Sequence, residues 1–247
     1  MGILNVTPDS FADGGKHNDF EAAVARGLEI IAEGVDIIDI GGESTRPGAD
    51  RVSEEEEIAR TIPVITELAK HGTPISIDTM RSKTAEAAIK AGASIINDVS
   101  GGLADPEMLQ TAARLKVPYI AMHWRGQSKD MNSKAIYSDV VSDVMSELNE
   151  RIEAALDAGI EKDKLIIDPG LGFAKDAEHN WAIIDSIDRF VAMGYPVLVG
   201  ASRKRFLGGD SPDEREQATI ELTKRLGTTG VWAVRVHSVK PHKEVLS

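Results

Sequence analysis

The 247-residue chain is 42% apolar and 28% charged, with 40 Asp+Glu against 28 Lys+Arg and no cysteine. Its net charge of -12 argues against a general binder of nucleic acid or anionic membrane, both of which need a basic face. Disulfides, thiolate metal sites and cysteine nucleophiles are excluded, and no apolar run reaches the roughly 18 residues of a membrane span.

The opening MGILNVTPDS reads as a strand entering a loop. It lacks the charged and long apolar regions of a signal peptide, so a cytoplasmic location is expected. Eight runs rich in Ile, Val and Leu predict strands at Gly2–Val6, Val35–Ile40, Pro74–Asp78, Ser94–Asp98, Val117–Met122, Lys164–Asp168, Tyr195–Gly200 and Val231–His237. Near-continuous apolar runs suit parallel strands covered by helices. Helices fill the gaps. Ser53 and Glu56 have capping-box spacing, with a break expected at Pro63. Asp105-Pro106 reads as N-cap and first helical residue, and Ser211-Pro212 opens the seventh helix. Val141, Val144, Leu148, Ile152 and Ala155 mark one buried face. Gly34, Gly92, Gly159 and Gly194 sit where C-terminal caps belong. The alternation predicts an α/β fold, a (β/α)₈ TIM barrel forming a single domain over residues 1–247. A doubly wound open sheet is the other candidate. The tail after His237 is too short for a full eighth helix, which is expected to be truncated.

In a (β/α)₈ barrel the C-terminal ends of the strands face the active site. Asn5, Asp39, Asp78, Asn97, Met122-His123, Asp168, Ser202 to Arg205, Arg235 and His237 fall there. Asn97 and Asp98 are adjacent, so only one can point inward; Asp98 is assigned a plain capping role. Asp78, Asn97, Asp168 and Lys204 would form a donor and acceptor cluster suited to a flat, amide-rich heterocycle. Arg235 and His237 suit an anion such as phosphate. Two βα loops, residues 7–15 and 43–50, exceed the usual length and carry Phe11 and Arg46 where a lid would act. Arg203, Lys204 and Arg205 concentrate positive charge at the start of a helix.

The segments GILNVTPDSFADGG, DIIDIGGESTRPGA, ISIDT, INDVSGG, MHWRG, IIDPGLGFAK, GASRKRFLGG and VRVH occur in that order. Together they resemble the dihydropteroate synthases, pterin-binding TIM barrels, over nearly the whole chain. The resemblance implies condensation of 6-hydroxymethyl-7,8-dihydropterin diphosphate with p-aminobenzoate, giving 7,8-dihydropteroate and diphosphate in folate biosynthesis. It implies that Asp78, Asn97, Met122, Asp168, Gly200 and Lys204 hold the pterin. Thr45, Arg235 and His237 would serve the diphosphate, and Asn5 would be a Mg²⁺ ligand. Phe11, Thr45, Arg46, Pro47, Phe173, Ser202 and Lys204 would frame the p-aminobenzoate pocket. Asp168, Lys204 and Asp78 would be the catalytic groups. A cytoplasmic homodimer built on helices of the C-terminal half, and inhibition by sulfonamides, are implied as well.

The chain departs from the family pattern at Trp124, expected to alter packing near the pterin slot. Ala174 stands at a usual Gly and is expected to stiffen the loop carrying Phe173. Ser238 stands where Asp is common, which should weaken a helix cap. A methyltetrahydrofolate-dependent methyltransferase would keep Asp78, Asn97 and Asp168 but has no need of STRPG, TPDSF or SRK. A non-catalytic homologue would be expected to lose Asn5, Thr45, Arg46, Lys204, Arg235 or His237, all of which are present. A phosphosugar enzyme on the same fold leaves the carboxylate-amide cluster unexplained.

Overall fold

The computed structural model describes residues 1–7, 15–43, 51–127 and 131–247, without the side chains of residues 15–18 and 132. Eight parallel strands are present: β1 Gly2–Asn5, β2 Ile38–Gly41, β3 Ile75–Asp78, β4 Ile95–Asp98, β5 Tyr119–Met122, β6 Leu165–Asp168, β7 Leu198–Val199 and β8 Ala233–Val234. Strands β1 to β6 pair in sequence order, and β7 pairs with β8. Two bridges, Ile167 with Val197 and Gly2 with Val236, join these sheets into a ring. The sheet is therefore a closed barrel, and the open doubly wound alternative is set aside. The last two strands are shorter than the sequence predicts. Pro196 has no N–H, but its carbonyl accepts the Ile167 N–H at 2.9 Å, so the ladder there is carried by acceptors.

Helices α1 Gly15–Ala32, α2 Glu54–Leu68, α3 Ser82–Ala91, α4 Met108–Leu115, α5 Val140–Asp157, α6 Ala177–Asp185, α7 Ile187–Val191, α8 Glu214–Leu226 and α9 Val239–Leu246 fill the crossovers. The predicted inner face of α5 is buried at all five positions, Val141, Val144, Leu148, Ile152 and Ala155. The four predicted capping glycines all have positive φ. Pro63, by contrast, lies within α2 and does not end it. It is exposed, so the carbonyl it leaves unpaired can bond water, while Val64, Ile65 and Leu68 bury the opposite face. Ser53 Oγ accepts the Glu56 N–H at 3.2 Å and caps α2 as predicted.

Two helix starts shift. Helix α4 begins at Met108, and Asp105 instead accepts from Glu107 N at 2.9 Å and from Ser82 N at 2.7 Å, which ties the start of α3. Helix α8 begins at Glu214, whose N–H Ser211 Oγ accepts at 3.2 Å. The eighth crossover helix is short. Its N-cap, Ser238, makes no side-chain capping bond. Glu33, just past the end of α1, replaces it, accepting from Val239 N at 3.1 Å and Lys240 N at 3.2 Å. Pro241 falls in the first turn, where no intrahelical N–H is needed. No helix among the described residues is long and apolar enough to cross a membrane.

Candidate active site

Strand alternation sorts the barrel interior into layers. Met1, Ile95, Ile120, Ile166 and Leu198 pack together inside the barrel, with Ile37 and Ala233 against them. Two residues further along the same strands come Asp39, Asn97, Met122, Asp168, Gly200 and Arg235, with Asp78 on β3. An apolar plug thus supports a polar layer at the C-terminal end. Asp78, Asn97 and Asp168 occupy that layer because each follows an inward-facing residue by one full pleat, whereas Lys204 comes from the loop after β7.

Arg235 organises the layer. Its Nε donates to Asp39 Oδ2 at 2.5 Å and its Nη2 to Asp78 Oδ2 at 2.6 Å. Asn97 Nδ2 donates to the same Asp39 oxygen at 3.1 Å. Asp39 is fully buried, and the Asp78 and Arg235 side chains are 9% and 19% exposed. Burial pushes the Asp78 carboxyl up to about 7; Arg235 opposes this, and neighbouring Asp39 reinforces it. Two carboxylates sharing one guanidinium leave the group short of positive charge. Burial disfavours the guanidinium charge, but Asp39 and Asp78 outweigh it and hold Arg235 above its ordinary value. Nη1 of Arg235 bonds to none of the described residues. Asp98 faces the other way, accepting from Ser100 N and Oγ, Gly102 N and Tyr119 Oη at 2.7–2.8 Å. It holds the turn that follows β4 rather than capping a helix, since α4 begins only at Met108.

Asp168 is buried, and burial raises its pKa against the Gly170 N–H that Oδ1 accepts at 2.7 Å. A Cβ at Gly200 would lie 3.8 Å from Asp168 Oδ2 and 3.9 Å from Arg235 Cβ, so glycine leaves that gap open. Lys204 follows β7 and donates to the Leu171 carbonyl, with its Nζ 4.7 Å from the Phe173 ring centroid. Burial presses its ammonium down to about 8 and Asp168 opposes the shift. Ser202 Oγ lies 2.9 Å from His237 Nδ1 and accepts the His237 N–H at 3.2 Å, so residues assigned to separate substrates are joined. Arg203 makes an ion pair to Glu216 at 2.6 Å and also donates to Ser238 Oγ at 2.8 Å. Phe173, Trp124, Met122, Met80 and Val99 form one apolar wall, so Trp124 does pack beside the expected pterin slot.

Asn5 ends β1, half-buried. Among the described residues no group of three or more His, Asp or Glu could hold a metal ion. Phe11, Thr45, Arg46 and Pro47, with most of both predicted lid loops, lie outside the described residues. Three groups were not singled out from sequence. Asp39 was placed on the rim but given no partner. Arg81 bonds Glu57, lies 3.0 Å from Glu43 Oε2 and donates to the Val52 carbonyl at 2.5 Å, gripping both flanks of residues 44–50. Buried Lys175 and His123, with half-buried Glu147, form a chain beside Phe173. The segments MHWRG and IIDPGLGFAK contain His123 and Lys175, but a strand-end rule has no means of pairing residues 52 apart.

The sequence profile of the pterin binding enzyme family matches residues 1–237. The dihydropteroate synthase of Mycobacterium leprae (strain TN) is 46% identical over 256 residues, covering 100% of this chain and 90% of that protein. The structure of Xanthomonas albilineans dihydropteroate synthase with 4-aminobenzoic acid superposes with a TM-score of 0.94 at 45% identity, covering 100% of this chain and 89% of that one. The same enzyme in complex with 7,8-dihydropteroate gives a TM-score of 0.90 at 41% identity, covering 100% of this chain and 90% of that one. With a closed barrel, a carboxylate-amide layer at its mouth and this likeness along its whole length, the chain belongs to the pterin binding enzyme family, alongside its dihydropteroate synthases.

Proposed function

We propose that this chain joins 6-hydroxymethyl-7,8-dihydropterin diphosphate to p-aminobenzoate, releasing 7,8-dihydropteroate and diphosphate. The observation that carries the reading is the single layer in which Asp39, Asp78, Asn97, Asp168, Lys204 and Arg235 converge on an apolar floor. Carboxylates accept from the ring N–H and amino groups of a pterin, while Asn97 and Lys204 donate to its carbonyl. The absent side chain of Gly200 leaves room beside Asp168. The complexes of the Xanthomonas enzyme with 4-aminobenzoic acid and 7,8-dihydropteroate support the choice of substrate and product.

The pterin methylene carbon to diphosphate oxygen bond breaks, and its electron pair leaves with the diphosphate. Arg235 and His237 are placed to take up that charge. The electron-rich ring stabilises the resulting methylene cation, and the negative field of Asp39, Asp78 and Asp168 favours it. The aniline nitrogen then forms the new bond to carbon and sheds a proton to solvent. Phe173, Ser202 and Lys204 hold the benzoate. No side chain needs to become a nucleophile.

The donor set fits Mg²⁺ held chiefly by the substrate. One amide oxygen, from Asn5, is offered, and Mg²⁺ commonly takes one or two protein ligands with phosphate oxygens and water. When bound, the ion would neutralise charge on the leaving diphosphate. The reading includes a homodimer, which sedimentation would report. Incubating the chain with the pterin diphosphate, p-aminobenzoate and Mg²⁺ should yield dihydropteroate; well-folded protein that makes none would refute the proposal.

A further inference from the structure

Lys175 lies in the loop between β6 and α6, with its side chain 8% exposed. Its Nζ reaches Gly170 O at 3.0 Å, Phe173 O at 3.0 Å and His123 Nδ1 at 2.8 Å. An ammonium has three N–H donors and no acceptor. Both carbonyls accept, and Nδ1 accepts only if the imidazole proton sits on Nε2. Glu147 ensures that, because its Oε2 lies 2.9 Å from His123 Nε2 and a carboxylate can only accept. Arg125 in turn fixes Glu147, donating from Nε at 3.0 Å and from Nη2 at 2.5 Å.

The loop that this chain grips needs holding. Ala174 has φ 48°, a left-handed conformation that costs a residue with a Cβ. Tyr137 Oη donates to the Ala174 carbonyl at 2.9 Å, next to the one that Lys175 takes. Gly170 is pressed so close that a Cβ would come within 2.4 Å of the His123 carbonyl. Between these fixed points the loop presents Phe173 to the apolar wall and the Leu171 carbonyl to Lys204.

The proton inventory agrees for His123 and Glu147, and leaves Lys175 shared between ammonium and amine at pH 7. Burial lowers His123 to about 4, helped by Lys175 and opposed by Glu147, so the ring is neutral at pH 7. Burial lowers Lys175 to about 7; Asp168 and Glu147 oppose this, while Lys204 and Arg125 reinforce it. Against burial, the bonds from His123 and Arg125 hold Glu147 at about 2.

We propose that Lys175, aimed by the His123–Glu147 pair, is a positioning residue that sets Phe173 and the Leu171 carbonyl, and through them the p-aminobenzoate side of the site. This rests on the reading of Phe173 and Lys204 as walls of that pocket. The Lys175 amine spends its three bonds on the loop carbonyls and His123.

The test uses the full chain with Mg²⁺ and four variants, Lys175→Met, His123→Leu, His123→Asn and Tyr137→Phe. Binding of the pterin diphosphate is measured by calorimetry, and KM and kcat for both substrates by product formation. Lys175→Met and His123→Leu should raise the p-aminobenzoate KM about tenfold, the scale of one buried hydrogen bond. The pterin diphosphate Kd should move less than about threefold, since the Asp39–Asp78–Arg235 layer is untouched. The Asn oxygen can stand where Nδ1 stood, so His123→Asn should keep the p-aminobenzoate KM within about threefold of wild type. Tyr137→Phe leaves no buried charge unpaired and covers the case in which the first variants fail to fold. It should raise the same KM about threefold. Equal loss of both substrates, His123→Asn matching His123→Leu, or lower stability with no change in KM would overturn the proposal. Wild-type protein that forms no product refutes the assigned reaction and this inference with it, whereas an active wild type without the KM split refutes the inference alone.

Discussion

Replacing Arg235 with Met would remove the cation bonded to two buried carboxylates, Asp39 and Asp78. Exposed ion pairs are worth little, but Asp39 is fully buried and Arg235 only 19% exposed, so solvent screens this group weakly. Breaking a buried pair by removing one partner costs about 3–5 kcal/mol. For a chain of this size each kcal/mol moves Tm by about 2–4 °C, so the expected fall is about 6–20 °C. The pH dependence has a definite sign. A carboxyl raised by burial still holds its proton in the folded state where the unfolded chain has released it, so stability falls as pH rises through that window. For Asp78 the window runs from the ordinary carboxylate range to about 7. Deleting Arg235 removes the opposing influence and extends the window upward. Urea denaturation of wild type and Arg235→Met should therefore show a larger deficit at pH 8 than at pH 5. Adding Asp39→Asn should restore part of it by removing one of the two unpaired charges. A deficit below about 1 kcal/mol, or one that shrinks as pH rises, would refute the buried-charge reasoning.

Four further outcomes are expected. Ala174→Gly should stabilise the fold by about 0.5–1 kcal/mol, because glycine adopts the left-handed φ of 48° without a Cβ clash; a lower denaturation midpoint would contradict this. Tyr119→Phe removes the buried 2.7 Å bond to Asp98 and should cost about 1–3 kcal/mol in denaturant titration, with unchanged pterin binding because Asp98 faces away from the site. Lys204→Ala should weaken pterin binding and turnover. In wild type, affinity for the anionic substrates should decline as pH rises through about 8, where the Lys204 ammonium loses its proton; a flat titration up to pH 9 would contradict its role.

The strand ends were the most legible part of the sequence. A strand has period two, so a polar residue two positions beyond an inward-facing one lands in the layer above the plug. Asp78, Asn97, Asp168 and Arg235 were found by that rule, and the opposite facing of Asn97 and Asp98 follows from it. The inner face of α5 was equally plain, because five apolar residues at helical spacing leave no other burial. Pro63 misled, since a propensity cost on an exposed face is outweighed by packing on the buried one. The start of α4 was misplaced because Asp105 caps a turn and α3 together, a tertiary bond invisible in local sequence. The Asp39–Arg235 bond spans 196 residues, and the Lys175–His123–Glu147 chain draws on three separate elements. Neither leaves a local signal, because their residue types are ordinary and only the barrel brings them together.

The ring has a seam. Strands β7 and β8 are two residues long where the other six have four, and a single bridge joins this pair to the sheet on each side. Lys204, Arg235 and His237 all hang from that short arc, while Asp39, Asp78 and Asn97 belong to the continuous sheet. The anion-facing half of the site therefore sits on the arc with the shortest ladders, and Arg235 is the spoke fastening it to β2 and β3. A ligand that bonds Lys204 on one side and Asp78 or Asn97 on the other would act as a second spoke. Its occupancy would register as slower amide exchange at residues 197–199 and 233–236, well before any change in the β3–β5 core.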